Sequence, residues 1–321
     1  MPIDPVLIRR LAQEAGYLAT TLEKVARLED LLREIARHPQ LSEHLALKGG
    51  TVINFILLPE ALRLSVDIDL NYIGAVGREE MRADRPAVEE VHERIFNAQS
   101  YEIQRRATYG STAWTLRYTN LAGSRDSVKV EVNWLLRVPI WTPERLAFRS
   151  IFPGEPVVVT VLSREEVVAG KVAALLDRAA PRDLFDVATL VDHGATGDLD
   201  RLRRATTLLG TFQTSDFRRR IGRAYIDDVG DRELRNALWQ TLRRDLRPTV
   251  DQLKASAEPL LRDVLSLGDR ENAYLATFYE TRRFDPLPLF DGTGAAADLP
   301  RHPMAAWRLQ QLERSLSSGE V

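Results

Sequence analysis

An α+β fold is what this sequence predicts: a mixed β-sheet core with flanking helices, followed by a helical C-terminal half. Three observations carry that expectation. Segments alternating polar and apolar residues recur at 65–70, 112–119 and 127–136, the period of a half-buried strand. Amphipathic helical stripes precede these segments. From about residue 198 onward only helical patterning remains.

The 321 residues suffice for about two domains, or one elaborated domain. The patterning divides them into N-terminal helices packing on the core (1–40), the core itself (41–197), a helical region (198–283), and a Pro/Gly-rich connector with a closing helix (284–321). The chain has no cysteine, which excludes disulfides, thiolate metal sites and cysteine nucleophiles. No apolar run approaches 18 residues and the N-terminus lacks a signal-peptide core, so a cytoplasmic protein away from membranes is expected. The five histidines are scattered without metal-ligand spacing, and neither a Walker loop nor a Gly-x-Ser-x-Gly elbow occurs.

In chain order, residues 4–15 and 21–37 are expected as helices, the second with a stripe of Leu22, Val25, Leu28, Leu31, Leu32 and Ile35. Lys48-Gly49-Gly50-Thr51 then opens a further helix; two glycines there let a backbone approach an anion closely. In Ser65-Val66-Asp67-Ile68-Asp69 the alternation places Ser65 and both carboxylates on one face, with Val66 and Ile68 behind them. Carboxylates two apart on a strand are separated by roughly 6.5 Å along the backbone. They can converge on divalent ions about 3.5–4 Å apart, the arrangement used for in-line displacement at phosphorus.

A helix over 86–98, opened by Pro86, and strands at 101–106, 112–119 and 127–136 follow. In the last strand Lys129 and Glu131 share a face, either as part of the site or as a solvated pair. Val157–Val161 reads as a buried strand. Ser163 and Glu166 form a capping box for a helix ending near Arg178, and a second helix begins after Pro181. Helices are expected at 199–209, 215–225, 231–246, 249–267, 271–281 and 304–316, the last docking through Trp307 and Leu312.

Two features of charge point to phosphate. Residues 201–262 hold 14 Lys/Arg against 8 Asp/Glu, so Arg218, Arg219, Arg220 and Arg223, with Arg243, Arg244 and Arg247, form a candidate surface for nucleic-acid phosphates. Only five of 44 basic residues are lysine, and Lys48, Lys129 and Lys171 fall inside the motifs, where a compact ammonium suits phosphate.

The pattern formed by Gly49, Gly50, Thr51, Asn54, Arg63, Ser65, Asp67 and Asp69 resembles the signature of the nucleotidyltransferase superfamily. More narrowly it is similar to the AbiEii/AbiGii group of toxins, which includes the MenT toxins, over roughly residues 40–195. The resemblance implies Mg²⁺ or Mn²⁺ held by Asp67, Asp69 and Glu131, with Glu131 as third ligand or base. It implies a nucleoside triphosphate cradled by Lys48, Gly49, Gly50, Thr51, Ser65, Lys129 and Lys171. Lys171, Arg178, Arg182, Asp183 and Asp186 resemble the group's third motif, which puts Lys171 and Asp186 among the catalytic residues. A helix-face salt-bridge set is the alternative for them. The implied activity is transfer of nucleotides to an RNA acceptor, the 3′ end of tRNA in some relatives, by a toxin with a cognate antitoxin encoded alongside. A small-molecule nucleotidyltransferase of the antibiotic-modifying kind and a non-catalytic nucleotide-binding module are the alternatives.

Overall fold

The computed structural model describes residues 4–221 and 229–317, with side chains to 314. The chain divides into two compact units. The first comprises Met1–Arg137, Pro143–Leu162 and Arg232–Pro248; the second comprises Val138–Thr142, Ser163–Asp231 and Thr249–Val321.

The first unit contains the sheet. Helices α1 (Pro5–Glu14), α2 (Ala19–Arg37) and α3 (Pro39–His44) lead into β1 (Leu45–Lys48). A short helix, α4 (Gly49–Val52), runs on into a π-helical turn, Ile53–Leu57. Then come β2 (Asp67–Tyr72), α5 (Arg78–Ala98), β3 (Glu102–Ala107), β4 (Ser111–Thr119), β5 (Arg125–Asn133), β6 (Glu144–Phe148) and β7 (Val157–Val161). The seven strands are ordered β3-β4-β5-β2-β1-β7-β6, with β2 and β5 parallel and β1 and β7 parallel. The mixed sheet is therefore as expected.

One face of the sheet is apolar because Ile68, Leu70, Val128, Val130 and Val132 alternate onto it, and all are buried. Helix α2 lies against β2, β5 and β7 on that side, which explains why its six-residue stripe is almost wholly buried. Burying each such side chain stabilises by roughly 1.5–3 kcal/mol. The polar residues at the alternate positions, Asp67, Asp69, Lys129 and Glu131, stay partly exposed on the opposite face.

Several elements of this unit differ from expectation. Helix α5 begins at Arg78, eight residues before Pro86, which sits inside it. The turn Arg78–Arg85 is drawn into the helix by Met81, buried on the same face as Val88 and His92. Strand β5 ends at Asn133 because the Asn133 carboxamide oxygen accepts from the N–H groups of Leu135 and Leu136, turning the chain. Strand β6, not expected, is an edge strand with only Phe148 fully buried, so it lacks the alternating signature. The expected helix 231–246 stops as α9 (Asp231–Leu238). Beyond it the Leu64 N–H donates to the Thr241 carbonyl and the Arg243 N–H to the Leu62 carbonyl, so the backbone is satisfied across chain segments instead.

The second unit is helical: α6 (Arg164–Arg178), α7 (Pro181–Asp192), α8 (Leu199–Gln213), α10 (Val250–Leu265), α11 (Asp269–Glu280), α12 (Leu287–Phe290) and α13 (Pro303–Ser317). Ser163 caps α6 by accepting from the Glu166 N–H, while the Glu166 carboxylate turns to the Ile140 N–H, so only half of the expected capping box forms. The expected helix 215–225 is a 3₁₀ turn at Phe217–Arg220, and the rest of it lies largely outside the described residues. Helix α13 docks on α8, with Trp307 and Leu312 only half-buried. Among the described residues no helix is long and apolar enough to cross a membrane.

Candidate active site

Strand register assembles the site. Asp69 on β2 is paired with Lys48 on β1 and with Glu131 on β5; Asp67 is paired with Lys129. Directly paired residues point to the same face, so the two aspartates, Glu131 and two of the five lysines stand together on the open side of the sheet. The Lys129 ammonium is 2.5 Å from Glu131 Oε2. Burial lowers the affinity of Lys129 for its proton, but the bond to Glu131 and the charges of Glu131, Asp69 and Asp67 outweigh it and raise the pKa above the usual lysine value. Lys129 is thus held as a cation beside the carboxylates.

Gly49, at the junction of β1 and α4, has φ +73°, in the left-handed region. A Cβ placed there would lie 2.9 Å from Asp69 Oδ2. The glycine therefore serves both the backbone turn and the clear space beside the carboxylate. Gly49→Ala is expected to cost about 1–2 kcal/mol from the backbone alone, and to displace Asp69. Urea unfolding and the rate of nucleotide incorporation check the two effects; wild-type values in both would remove Gly49 from the site.

Thr51 and Ser65 are both buried. The Thr51 hydroxyl donates to the Asp67 carbonyl at 2.5 Å and lies 3.0 Å from the Ser65 hydroxyl. These groups tie α4 to the start of β2 and so position the aspartates. Gly50 is half-exposed, and its carbonyl accepts from the buried Asn54 side chain at 2.8 Å.

Asp67 and Asp69 offer hard oxygen donors on an open face, with the space kept by Gly49 beside one of them. That set fits a divalent cation. Glu131 is directed to Lys129, and among the described residues no group of three or more His, Cys, Asp or Glu side chains is gathered for a metal. The two aspartates are the carboxylates of this face that could hold such a cation.

Lys171 belongs to the second unit. Its ammonium, about one-tenth exposed, lies 2.8 Å from Asp183 and 3.1 Å from Asp186, both carboxylates being buried. Arg178 donates to both oxygens of Asp183, at 2.7 and 3.1 Å. Lys171, Asp183 and Asp186 of the third motif thus form a largely buried ion-paired cluster linking α6 to α7, while Arg178 and Arg182 lie exposed at its rim. Of the arginine run, Arg218 pairs with Asp216 at 3.0 Å and Glu280 at 3.8 Å and lies over the Tyr279 ring. Arg219 approaches Asp216, and Arg220 donates to the Asp177 carbonyl. Arg223 lies outside the described residues.

Two residues of the site face were not singled out from the sequence: buried Asn71, which continues the Asp67, Asp69 series, and Arg106 on β3, in the same row as Asp69. Only strand register identifies the second.

A mixed sheet with paired aspartates and a glycine turn beside them is the arrangement of a nucleotidyltransferase. The family model described as nucleotidyl transferase AbiEii toxin, type IV toxin–antitoxin system, matches residues 30–267. The chain belongs to this family of nucleotidyltransferase toxins. Among solved structures it is similar to MenT4, a nucleotidyltransferase toxin from Mycobacterium tuberculosis H37Rv, at 20% identity and a TM-score of 0.63, covering 87% of this chain and 96% of that one. A nucleotidyltransferase-like antigenic protein from Paracoccidioides brasiliensis matches at 15% identity and a TM-score of 0.36, over 58% of this chain and 87% of that one. No curated protein matches the chain. The family implies a nucleoside triphosphate substrate and a cognate antitoxin.

Proposed function

We propose that this toxin transfers a nucleotidyl group from a nucleoside triphosphate to an RNA acceptor, the 3′ end of a tRNA, in the cytoplasm, and is countered by its antitoxin. The observation that carries the reading is the register placing Asp69 between Lys48 and Glu131 and Asp67 beside Lys129. Asp67 and Asp69 would hold a divalent cation, Mg²⁺ or Mn²⁺, which when bound offsets charge on the triphosphate and the leaving pyrophosphate. Lys48 and Lys129 add fixed positive charge on the same face, and the backbone at Gly49 and Gly50 admits the phosphates closely. An acceptor 3′ hydroxyl attacks the α-phosphorus, the bond to the β-phosphate bridging oxygen breaks, and pyrophosphate leaves. The hydroxyl proton passes to a carboxylate of the row; Glu131, once it releases Lys129, has the position for it. No covalent nucleophile is needed, because this chemistry rests mainly on positioning and charge stabilisation.

The test incubates the purified protein with each labelled triphosphate and total RNA, with and without a chelator. Label is expected in RNA at the size of tRNA, abolished by the chelator and restored by Mg²⁺ or Mn²⁺. Label appearing only in an added aminoglycoside, or none with any triphosphate, would overturn the reading.

A further inference from the structure

Strand β3 is one of the two edges of the sheet, and it carries arginines to both faces. Arg106 pairs in register with Ala113 on β4, Ala113 with Glu131 on β5, and Glu131 with Asp69 on β2. With strands about 4.8 Å apart, the Arg106 backbone stands roughly 14 Å from that of Asp69 along one row. Ala113, between Arg106 and Glu131, leaves that part of the row low.

Arg105 points to the other face and lines a groove of about 400 Å³ with Arg78, Arg82, Arg85 and Tyr109. Arg85 and Arg105 are both committed to Glu89, and Arg85 also donates to the Thr108 carbonyl and the Thr112 hydroxyl. Arg78 and Arg82 are exposed, and neither they nor Arg106 have an ion-pair partner among the described residues. Tyr109 is 49% exposed, with the Arg78 guanidinium 5.6 Å from its ring centroid. Exposed cations without ion-pair partners, one of them over an exposed aromatic ring, match a flexible polyanion with free bases, that is, single-stranded nucleic acid. Arg218 is different, since Asp216 and Glu280 already answer its charge.

We propose that the acceptor enters over the β3 edge. Arg78, Arg82 and Tyr109 hold its backbone and one unpaired base, and Arg106 leads the strand onto the row that ends at Asp69. This rests on the reading of the chain as a transferase acting on RNA, but its test reads binding alone.

Anisotropy of a 5′-labelled single-stranded RNA oligonucleotide is measured against salt, in an Asp69→Asn background that binds without turnover. Competition by inorganic polyphosphate is measured beside it. The triple variant Arg78→Gln, Arg82→Gln, Arg106→Gln is expected to weaken RNA binding at least ~10-fold. It should flatten the log–log salt slope by about 2, near 0.7 for each phosphate contact. Tyr109→Ala is expected to weaken RNA binding roughly 5- to 100-fold, as loss of one stacked base does, and to leave polyphosphate binding unchanged. All four side chains are at least partly exposed, and matching thermal melts exclude misfolding as the cause. Slopes and affinities equal to the parent, or no RNA binding by the parent, would overturn the proposal. So would equal loss of RNA and polyphosphate binding in Tyr109→Ala, which describes a bare polyanion patch. Transfer is scored separately in the wild type, so failure of the transferase reading shows there and leaves the binding comparison intact.

Discussion

Asp69→Asn is expected to fold as the wild type does while losing nucleotide transfer by roughly 10²–10³-fold, the scale on which removing one preorganised electrostatic element slows catalysis. Asp69 stands between Lys48 and Glu131 in the strand register, with Gly49 shaped around its Oδ2 atom. An asparagine has almost the same volume and keeps one oxygen, so the fit against Gly49 survives. What disappears is a negative charge in a group that also contains Asp67 and Glu131, and that relieves repulsion while it weakens cation binding. Lys129 loses one of the charges holding it protonated but keeps Glu131. Stability should therefore stay within about 0.5 kcal/mol, as for substitutions that create neither cavity nor buried unpaired charge. Label incorporated into RNA per minute, with a circular-dichroism melt alongside, measures both. Activity within tenfold of wild type would show that Asp69 holds no cation needed for the reaction.

Lys171→Ala should have the opposite profile. The ammonium is nearly buried between Asp183 and Asp186, and Asp183 is shared with Arg178. Removing one partner from a buried pair strands the remaining charge, at a cost of about 3–5 kcal/mol. The urea midpoint should fall accordingly, with the steepness of the transition unchanged. Lys171→Met keeps the aliphatic stem but not the charge, and it should fall nearly as far. The phosphate-ligand role implied by family resemblance makes a different forecast. A charge-assisted contact is worth about 1.5–3 kcal/mol, so KM for the triphosphate would rise and the midpoint hold. Midpoint and KM measured on the same samples separate the two.

How much of this was legible in the residues varies element by element. The aspartate strand was, because alternation of period two assigns Asp67 and Asp69 to one face whatever their neighbours are. Strand Val157–Val161 was legible in its bounds, being a β-branched run between a Pro-rich turn and a helix cap, but not in its burial, since only one face is covered and Val158 is exposed. Helix α5 was misread at its start, since Pro86 reads locally as a first-turn residue, while Met81 seven residues before Val88 draws the helix back a further two turns. Strand β6 had no local signal at all; it exists because β7 offers it an edge.

The sequence by itself determined the fold class, the pair of carboxylates on one face, the glycine turn next to them and membership of a nucleotidyltransferase family. Each is written in short-range spacing, where steric and hydrogen-bonding rules act over a few residues. Only the tertiary structure decided which residues face one another across chain distance. Register put Glu131 beside Asp69 and Arg106 at the end of the same row. Packing buried the hydroxyls of Thr51 and Ser65 beneath the aspartates and closed Lys171 between two carboxylates. Glu280, far along the chain, came to stand opposite Arg218. The physical reason is that period and propensity fix the direction of a side chain locally, whereas its partner depends on strand pairing and helix docking, which no local window contains.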